Sequence, residues 1–286
     1  CETNGYVLAE DTIPFLRNQL NRMYENRSEH FGNARSVRNL FEKAINHQAN
    51  RLVHDDDITD SELTELTIDD IILAMDVSTS MLARDLTPDR INASKDIAIE
   101  FIAQRPTDRM GIVVFAGESF TQCPLTVDHS VLLNLFHSIK GDIAQRGLIE
   151  DGTAIGMGIA NAVTRLKDSK AKSKVIILLT DGTNNRGDIS PGMAADIAKS
   201  FGIRVYTVAV GTNGTAPYPM MVGGRREYIN VPVEIDTKTL TQIAEKTDAQ
   251  TYRATNTEKL FQVYEEIDKL EKTKMNVRKY SKRYES

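Results

Sequence analysis

Two polarity patterns divide this chain. Between Ile13 and Leu52 apolar residues recur at helical spacing, whereas from Ile71 onward short unbroken apolar runs alternate with amphipathic stretches. Ile13, Leu16, Leu20 and Met23 or Tyr24 make one helical stripe, started by a cap at Asp11 or Thr12 with Pro14 in the first turn. Gly32-Asn33 breaks it. Residues 34–52 then set Val37, Leu40, Phe41, Ala44, Ile45 and Leu52 opposite Arg35, Arg38, Lys43 and Arg51. The pattern predicts a helical segment over 1–70, with an acidic loop at His54–Asp57 and a polar stretch before Ile71.

From Ile71 the runs IILAM, MGIVVFA, VIILLT and RVYTVAV are near-continuously apolar, as parallel strands buried on both faces are. Helical patterns separate them at 90–104 (capped by Thr87 or Asp89), 130–139 (capped by Asp128), 153–167, 193–201, 236–247 and 257–272. Residues 119–125 read as an antiparallel edge strand and 251–253 as a short last strand. Residues 211–234, rich in Gly, Pro and Tyr, read as a hairpin or excursion, and Pro217–Met221 with Arg225-Arg226 suits a contact surface. This alternation defines an α/β domain with a mostly parallel sheet.

Such strands deliver ligand sites at their carboxyl ends. The first ends in Asp76-Val77-Ser78-Thr79-Ser80, one carboxylate and two hydroxyls at alternate positions. That set suits a hard cation such as Mg²⁺, which takes oxygen ligands in an octahedron. Thr153 follows Glu150-Asp151-Gly152 just before a helix, and Asp181 follows VIILLT. With neighbouring strands, Asp76, Ser78, Ser80, Thr153 and Asp181 meet at one sheet edge. Gly152 is expected to let the loop backbone approach the ion.

Composition narrows the function. Lys and Arg total 35 against 40 Asp and Glu, a net charge of −5, so no basic field points to nucleic acid. Two cysteines are too few for a disulfide framework, and Cys123, in an apolar strand, reads as a buried small hydrophobe. No apolar stretch of roughly 18 residues spans a membrane, and no signal-peptide pattern is present. The histidines lack the context of a Ser/His/Asp triad. Gly156-Met157-Gly158 lies inside a helical pattern and reads as small-residue packing rather than a dinucleotide loop.

Two resemblances follow from these motifs. D-x-S-x-S with a distant Thr and a distant Asp after a buried strand resembles the metal-ion-dependent adhesion site of von Willebrand factor A domains. AMDVSTSM, VVFAGESFTQCPLT, EDGTAIGMGIANAV, VIILLTDGTNNRG and GIRVYTVAVGT are similar to the bacterial aerotolerance (Bat-type) members. The resemblance covers about 71–270 and implies a Rossmann-like von Willebrand A fold with helices on both faces of the sheet. It implies Mg²⁺, with Mn²⁺ or Ca²⁺ as alternatives. Ser78 and Ser80 would bind directly, Thr153 directly or through water, and Asp76 and Asp181 through water. The sixth position is left for an Asp or Glu carboxylate of a protein partner. Hydroxyls suit this role, because a first shell full of carboxylates would satisfy the ion without the partner. No catalysis is expected. The function implied is metal-dependent protein binding in a stress-tolerance complex at the bacterial inner membrane, on a cytoplasmic or periplasmic face left open, with the anchor outside this chain. The basic tail at 271–286 would lie beside that anchor.

The second resemblance covers about 1–70. FGNARSVRNLFEKAINHQANRL and LTIDDI are similar to the helical lid of AAA+ ATPases of the Rubisco-activase and stage-V-sporulation-K type. The lid arginine that senses phosphates maps to Arg35. No G-x-x-x-x-G-K-[ST] loop occurs anywhere in the chain, so ATP hydrolysis is not expected. Lid and strand meet without a Gly/Ser or Pro linker, which suggests a composite chain. The alternative is a natural fusion, since MoxR-type AAA+ ATPases work with A-domain proteins; such an ATPase, or another A-domain protein, is then the expected partner. A rival function is a subunit docked on a AAA+ chaperone ring. A metal-dependent phosphatase with Asp76 as phosphoryl acceptor is weaker, because Ser78 stands where the general-acid Asp would be.

Overall fold

The computed structural model describes residues 69–284, except 106–107, 141–143, 145, 172 and 224, together with short pieces of the first 68 residues. Among those pieces, helical turns at 12–13, 16–17, 20–21, 37–38, 41–42 and 44–45 fall within the two stripes expected there. Val7–Leu8 pairs in parallel with Glu65–Leu66. Arg35 and the acidic loop 54–57 lie outside the described residues.

The α/β domain begins with β1 (Asp69–Asp76), followed by α1 (Arg90–Ala103), β2 (Arg109–Phe115), β3 (Ser119–Thr126) and α2 (His129–His137). Next come α3 (Ile155–Leu166), β4 (Ser173–Thr180), α4 (Pro191–Ser200) and β5 (Arg204–Val210). A hairpin of β6 (Thr215–Val222) and β7 (Arg225–Pro232) precedes α5 (Thr237–Lys246), β8 (Thr251–Ala254) and α6 (Thr257–Tyr284). The sheet order is β8-β5-β4-β1-β2-β3, parallel except for β3. The chain leaves β1 toward β2 and β3 on one side and returns through β4 on the other. β1 and β4 therefore flank a topological switch point, where open α/β sheets bind ligands.

Each strand of the sheet's centre carries a long apolar run because helices cover both of its faces. Ile71, Leu73 and Met75 pack against α1, α2 and α6. Ile72 and Ala74 pack against α3, α4 and α5. The helices start where the caps require: Asp89, Asp128, Ser190 and Asp236 each accept a backbone N–H of the first turn. Cys123 is buried on β3, as expected.

Several element bounds differ from the sequence reading, and two of the differences lie beside buried ion pairs. β1 starts at Asp69, not Ile71, because Asp70 is paired with Arg109 and Asp69 lies beside Arg105. The last helix runs through Tyr284, not to Lys272. No Gly or Pro interrupts 257–284, and Glu271 is buried against Arg204, Ser173 and Tyr206. The segment expected as a tail from 271 thus starts inside the helix that closes the core.

Candidate metal centre

The carboxyl end of β1 turns sharply into a short 3₁₀ helix, Thr79–Leu82. Asp76 makes that turn itself: its Oδ1 accepts the Ser78 N–H at 2.9 Å, and its Oδ2 accepts the Thr180 hydroxyl at 2.6 Å. The turn brings the Ser78 and Ser80 hydroxyls to 3.0 Å from each other. Ser80 donates to Asp181 Oδ1 at 2.7 Å across the switch point. Four of the five residues read from the sequence are therefore joined in one chain of contacts.

Thr153 reaches the same place by a different route. It lies in the loop just before α3, not on the helix as expected. Asn185 clamps it: the Thr153 N–H donates to Asn185 Oδ1 at 2.9 Å, and the Asn185 N–H donates back to the Thr153 carbonyl at 3.0 Å. Gly182 makes the close approach possible, since a Cβ there would sit 3.0 Å from Thr153 Oγ1. Ser80, Thr153 and Asp181 line one cavity of about 300 Å³. Gly152 is also required by the backbone itself. Its φ of 124° disfavours L residues, and a Cβ would fall 2.6 Å from Arg186 Cγ.

Three groups were missed by sequence reasoning. Arg90 grips Asp85 with Nε and Nη2 and donates from Nη1 to Asp181 Oδ2 at 2.6 Å. It leaves Asp181 Oδ1 facing Ser80. Asp151 accepts both the N–H and the hydroxyl of Thr79, at 3.0 and 2.7 Å, and so pins the serine turn to the α3 loop. Thr180, last in β4, orients Asp76. Asp151 and Thr180 carried a local signal, their places in the polar clusters beside Thr153 and Asp181; Arg90 carried none.

The electrostatics are those of a cation cradle. Asp85 and Asp181 share the Arg90 guanidinium, while Asp76 is held by the Ser78 N–H and the Thr180 hydroxyl. Burial, and after it the Asp181 carboxylate, pushes Asp76 up to about 7. Burial raises Asp181 as well, against the pull of Arg90 and Ser80. The donors fit Mg²⁺ chemically, being all hard oxygens. Neighbouring ligands of an octahedral Mg²⁺ with bonds of 2.0–2.1 Å stand about 2.9 Å apart, close to the Ser78–Ser80 separation. Among the described residues no group of three or more His, Cys, Asp or Glu clusters as a metal site; the donors gathered here are two carboxylates and the Ser and Thr hydroxyls. The two histidines of α2 are engaged with carbonyls: His129 contacts that of Asp108 and His137 that of Leu133. Gly156 and Gly158 pack against Ile189 and Phe115, as small residues in a helix contact do.

Fold and site together define a doubly wound α/β domain with an oxygen-lined cleft at its switch point. The chain belongs to the von Willebrand factor type A domain family, whose model matches residues 70–266. A second model, an AAA lid domain, matches residues 1–81. The two overlap on residues that the structure assigns to β1 and the serine turn. An uncharacterized protein of Borreliella burgdorferi is 29% identical over 185 residues, covering 64% of this chain; the chain spans about half, 53%, of that relative's length. Two crystal structures are similar. BatB from Bacteroides thetaiotaomicron is 29% identical with a TM-score of 0.61, covering 73% of this chain and 98% of that one. An aerotolerance-related membrane protein from Bacteroides fragilis is 27% identical with a TM-score of 0.59, covering 69% and 97%. Among the described residues of this chain, no helix is long and apolar enough to cross a membrane.

Proposed function

We propose that this domain binds a protein partner through a divalent cation, Mg²⁺ in the first instance, with Mn²⁺ or Ca²⁺ able to replace it. Asp76, Ser78, Ser80, Thr153 and Asp181 hold the ion, and the partner completes its shell with an Asp or Glu carboxylate. The observation that carries this reading is the pair of hydroxyls 3.0 Å apart between two buried carboxylates, with Ser80 and Asp181 lining a cavity. Neutral hydroxyls leave the ion electrophilic, and a partner carboxylate then makes a short, charge-assisted contact. The domain does this without catalysing a reaction. Its place is a stress-tolerance assembly at a bacterial inner membrane, in keeping with the aerotolerance-related membrane protein it is similar to.

A second reading draws on the AAA lid match over residues 1–81. There the first segment docks on a AAA+ ATPase, of the MoxR or a related type, and the A domain presents clients to it. Another A-domain protein is the further candidate partner. Capture from the membranes of the source cell tests both. The first reading predicts partners retained in Mg²⁺, released by EDTA and lost in Asp76→Ala. Partners retained in EDTA and by Asp76→Ala, yet lost on deleting residues 1–68, support the second reading and refute the first.

A further inference from the structure

The hairpin β6–β7 stands beside the candidate metal centre, and one of its edges is unpaired among the described residues. β6 is docked on the body: the Arg84 N–H donates to the Pro217 carbonyl at 2.8 Å, and the Arg84 guanidinium lies 4.1 Å from the centre of the Tyr228 ring. The hydrogen-bonding phase of the hairpin follows from the first of these contacts. In an antiparallel pair, opposite residues alternate between bonded and non-bonded pairs. Pro217 spends its carbonyl outside the hairpin, so the pair Pro217–Asn230 is non-bonded. Two further observations agree. Val233 donates to the Gly214 carbonyl, in the bonded phase. Pro219 and Pro232, which have no N–H to give, share the non-bonded phase with Pro217.

By alternation, the N–H and C=O groups of Tyr228 and Asn230 point away from β6. Among the described residues nothing hydrogen-bonds to them. Pro232 closes this edge at the strand's end, but over Tyr228–Asn230 it is unpaired and free of proline; such an edge is a template for another strand, and strand addition is a common way of binding extended segments. The same strands place Ala216, Tyr218, Met220, Glu227, Ile229 and Val231 on one face. Ala216, Tyr218 and Val231 line the metal cavity, and Met220 and Ile229 remain 44% and 41% exposed beside it. A strand added to β7 would send every second side chain to that same face.

We propose that the outer edge of β7 receives an extended, acid-bearing segment of the partner protein as an added strand, which delivers its carboxylate to the metal cavity. This rests on the function proposed above. The alternation of the added strand sets the chemistry of the segment. An Asp or Glu is followed or preceded at two residues' distance by an apolar or β-branched side chain, which covers Ile229 and Met220. Proline is excluded where the segment must accept from and donate to Tyr228 and Asn230.

The test uses the full chain and an immobilised library of short peptides with alternating β-branched residues and one Asp or Glu at each position. A matching Asn and Gln library is the control. Binding is read in Mg²⁺ and in EDTA, for the wild type and for Asn230→Pro. That substitution removes only an outward N–H, in the phase where the hairpin already carries three prolines. Free-Mn²⁺ titration of both proteins checks that the metal centre is intact. The expected result is Mg²⁺-dependent binding of acidic peptides, weakened roughly tenfold by Asn230→Pro and by N-methylation of alternate peptide amides, with Mn²⁺ affinity unchanged. Acidic peptides that bind Asn230→Pro as well as the wild type would overturn the strand proposal and leave the metal reading standing. Binding that survives EDTA and the Asn/Gln exchange but is lost in Asn230→Pro would keep the edge and refute its link to the metal. An absence of binding by every peptide, or wild-type binding released only by deleting residues 1–68, would also overturn the proposal, the latter by assigning the edge to the chain's own first segment.

Discussion

Replacing Gly156 by alanine tests how the site is held together. Gly156 lies in the first turn of α3, and a Cβ there would fall 1.9 Å from the Ile189 carbonyl oxygen and 2.8 Å from two backbone carbons. Ordinary contact begins at 3.4 Å, so α3 or the segment before α4 must move by about 1.5 Å in a close-packed interior. The obstacle is backbone, and no side-chain rotation relieves it. Overpacking of this kind costs on the order of 3 kcal/mol, or roughly 6–12 °C in Tm for a domain of this size. The same movement separates Thr153 from Asn185 and Asp181, so the Tm gain produced by Mg²⁺ should shrink as well. Gly192→Ala is the internal control. It lies in the first turn of α4, and the nearest atom to its Cβ would be Lys246 Nζ at 3.7 Å. That change should be neutral or stabilise by about 0.5 kcal/mol. Thermal unfolding of the three proteins with and without Mg²⁺ decides the matter. A Gly156→Ala protein as stable and as Mg²⁺-responsive as the wild type would refute the packing described here.

Further outcomes follow from the charges. Between about pH 4 and pH 7 the folded protein keeps a proton on Asp76 that the unfolded chain has released; stability without metal should therefore fall as pH rises through that window, by at most ~4 kcal/mol. Because a cation favours the carboxylate, the Mg²⁺-induced Tm gain should grow from pH 5 to pH 8, as calorimetry in both conditions would show. Arg90→Met strands Asp85 and Asp181 and should destabilise by roughly 3–5 kcal/mol, with a larger Mg²⁺ rescue than in the wild type. Glu271→Gln, at the opposite edge of the sheet, breaks the buried pair with Arg204 and should cost on the order of 3 kcal/mol in urea unfolding, while Mn²⁺ affinity stays unchanged.

The fold was legible wherever a short local pattern sufficed. IILAM, VIILLT and RVYTVAV are mostly apolar because helices cover both faces of their strands, and a polar cluster marks the end of each strand that carries the candidate site. The five candidate residues were legible as polar clusters at strand and loop ends, and the structure brings them to one place. Arg90 was not: its partner Asp181 lies 91 positions away, and nothing in TPDRINAS distinguishes a buried guanidinium from a solvated one. Asp69 and Asp70 were excluded from β1 by their charge, although Arg105 and Arg109 offset it. The hairpin could be suspected from its prolines and tyrosine, but its free edge depends on the phase set by Arg84 and Pro217, which only the fold reveals.

The central claim, a divalent cation held by the serine turn, is tested most directly by titrating Mn²⁺ into the protein and following the electron paramagnetic resonance signal of the free ion. The account predicts a single saturable site per chain, displaced by Mg²⁺ and abolished by replacing Ser78 and Ser80 together with alanine, in a variant whose fold is otherwise retained. A free-ion signal that rises as it does in buffer, or a double variant that binds Mn²⁺ as tightly as the wild type, would contradict it.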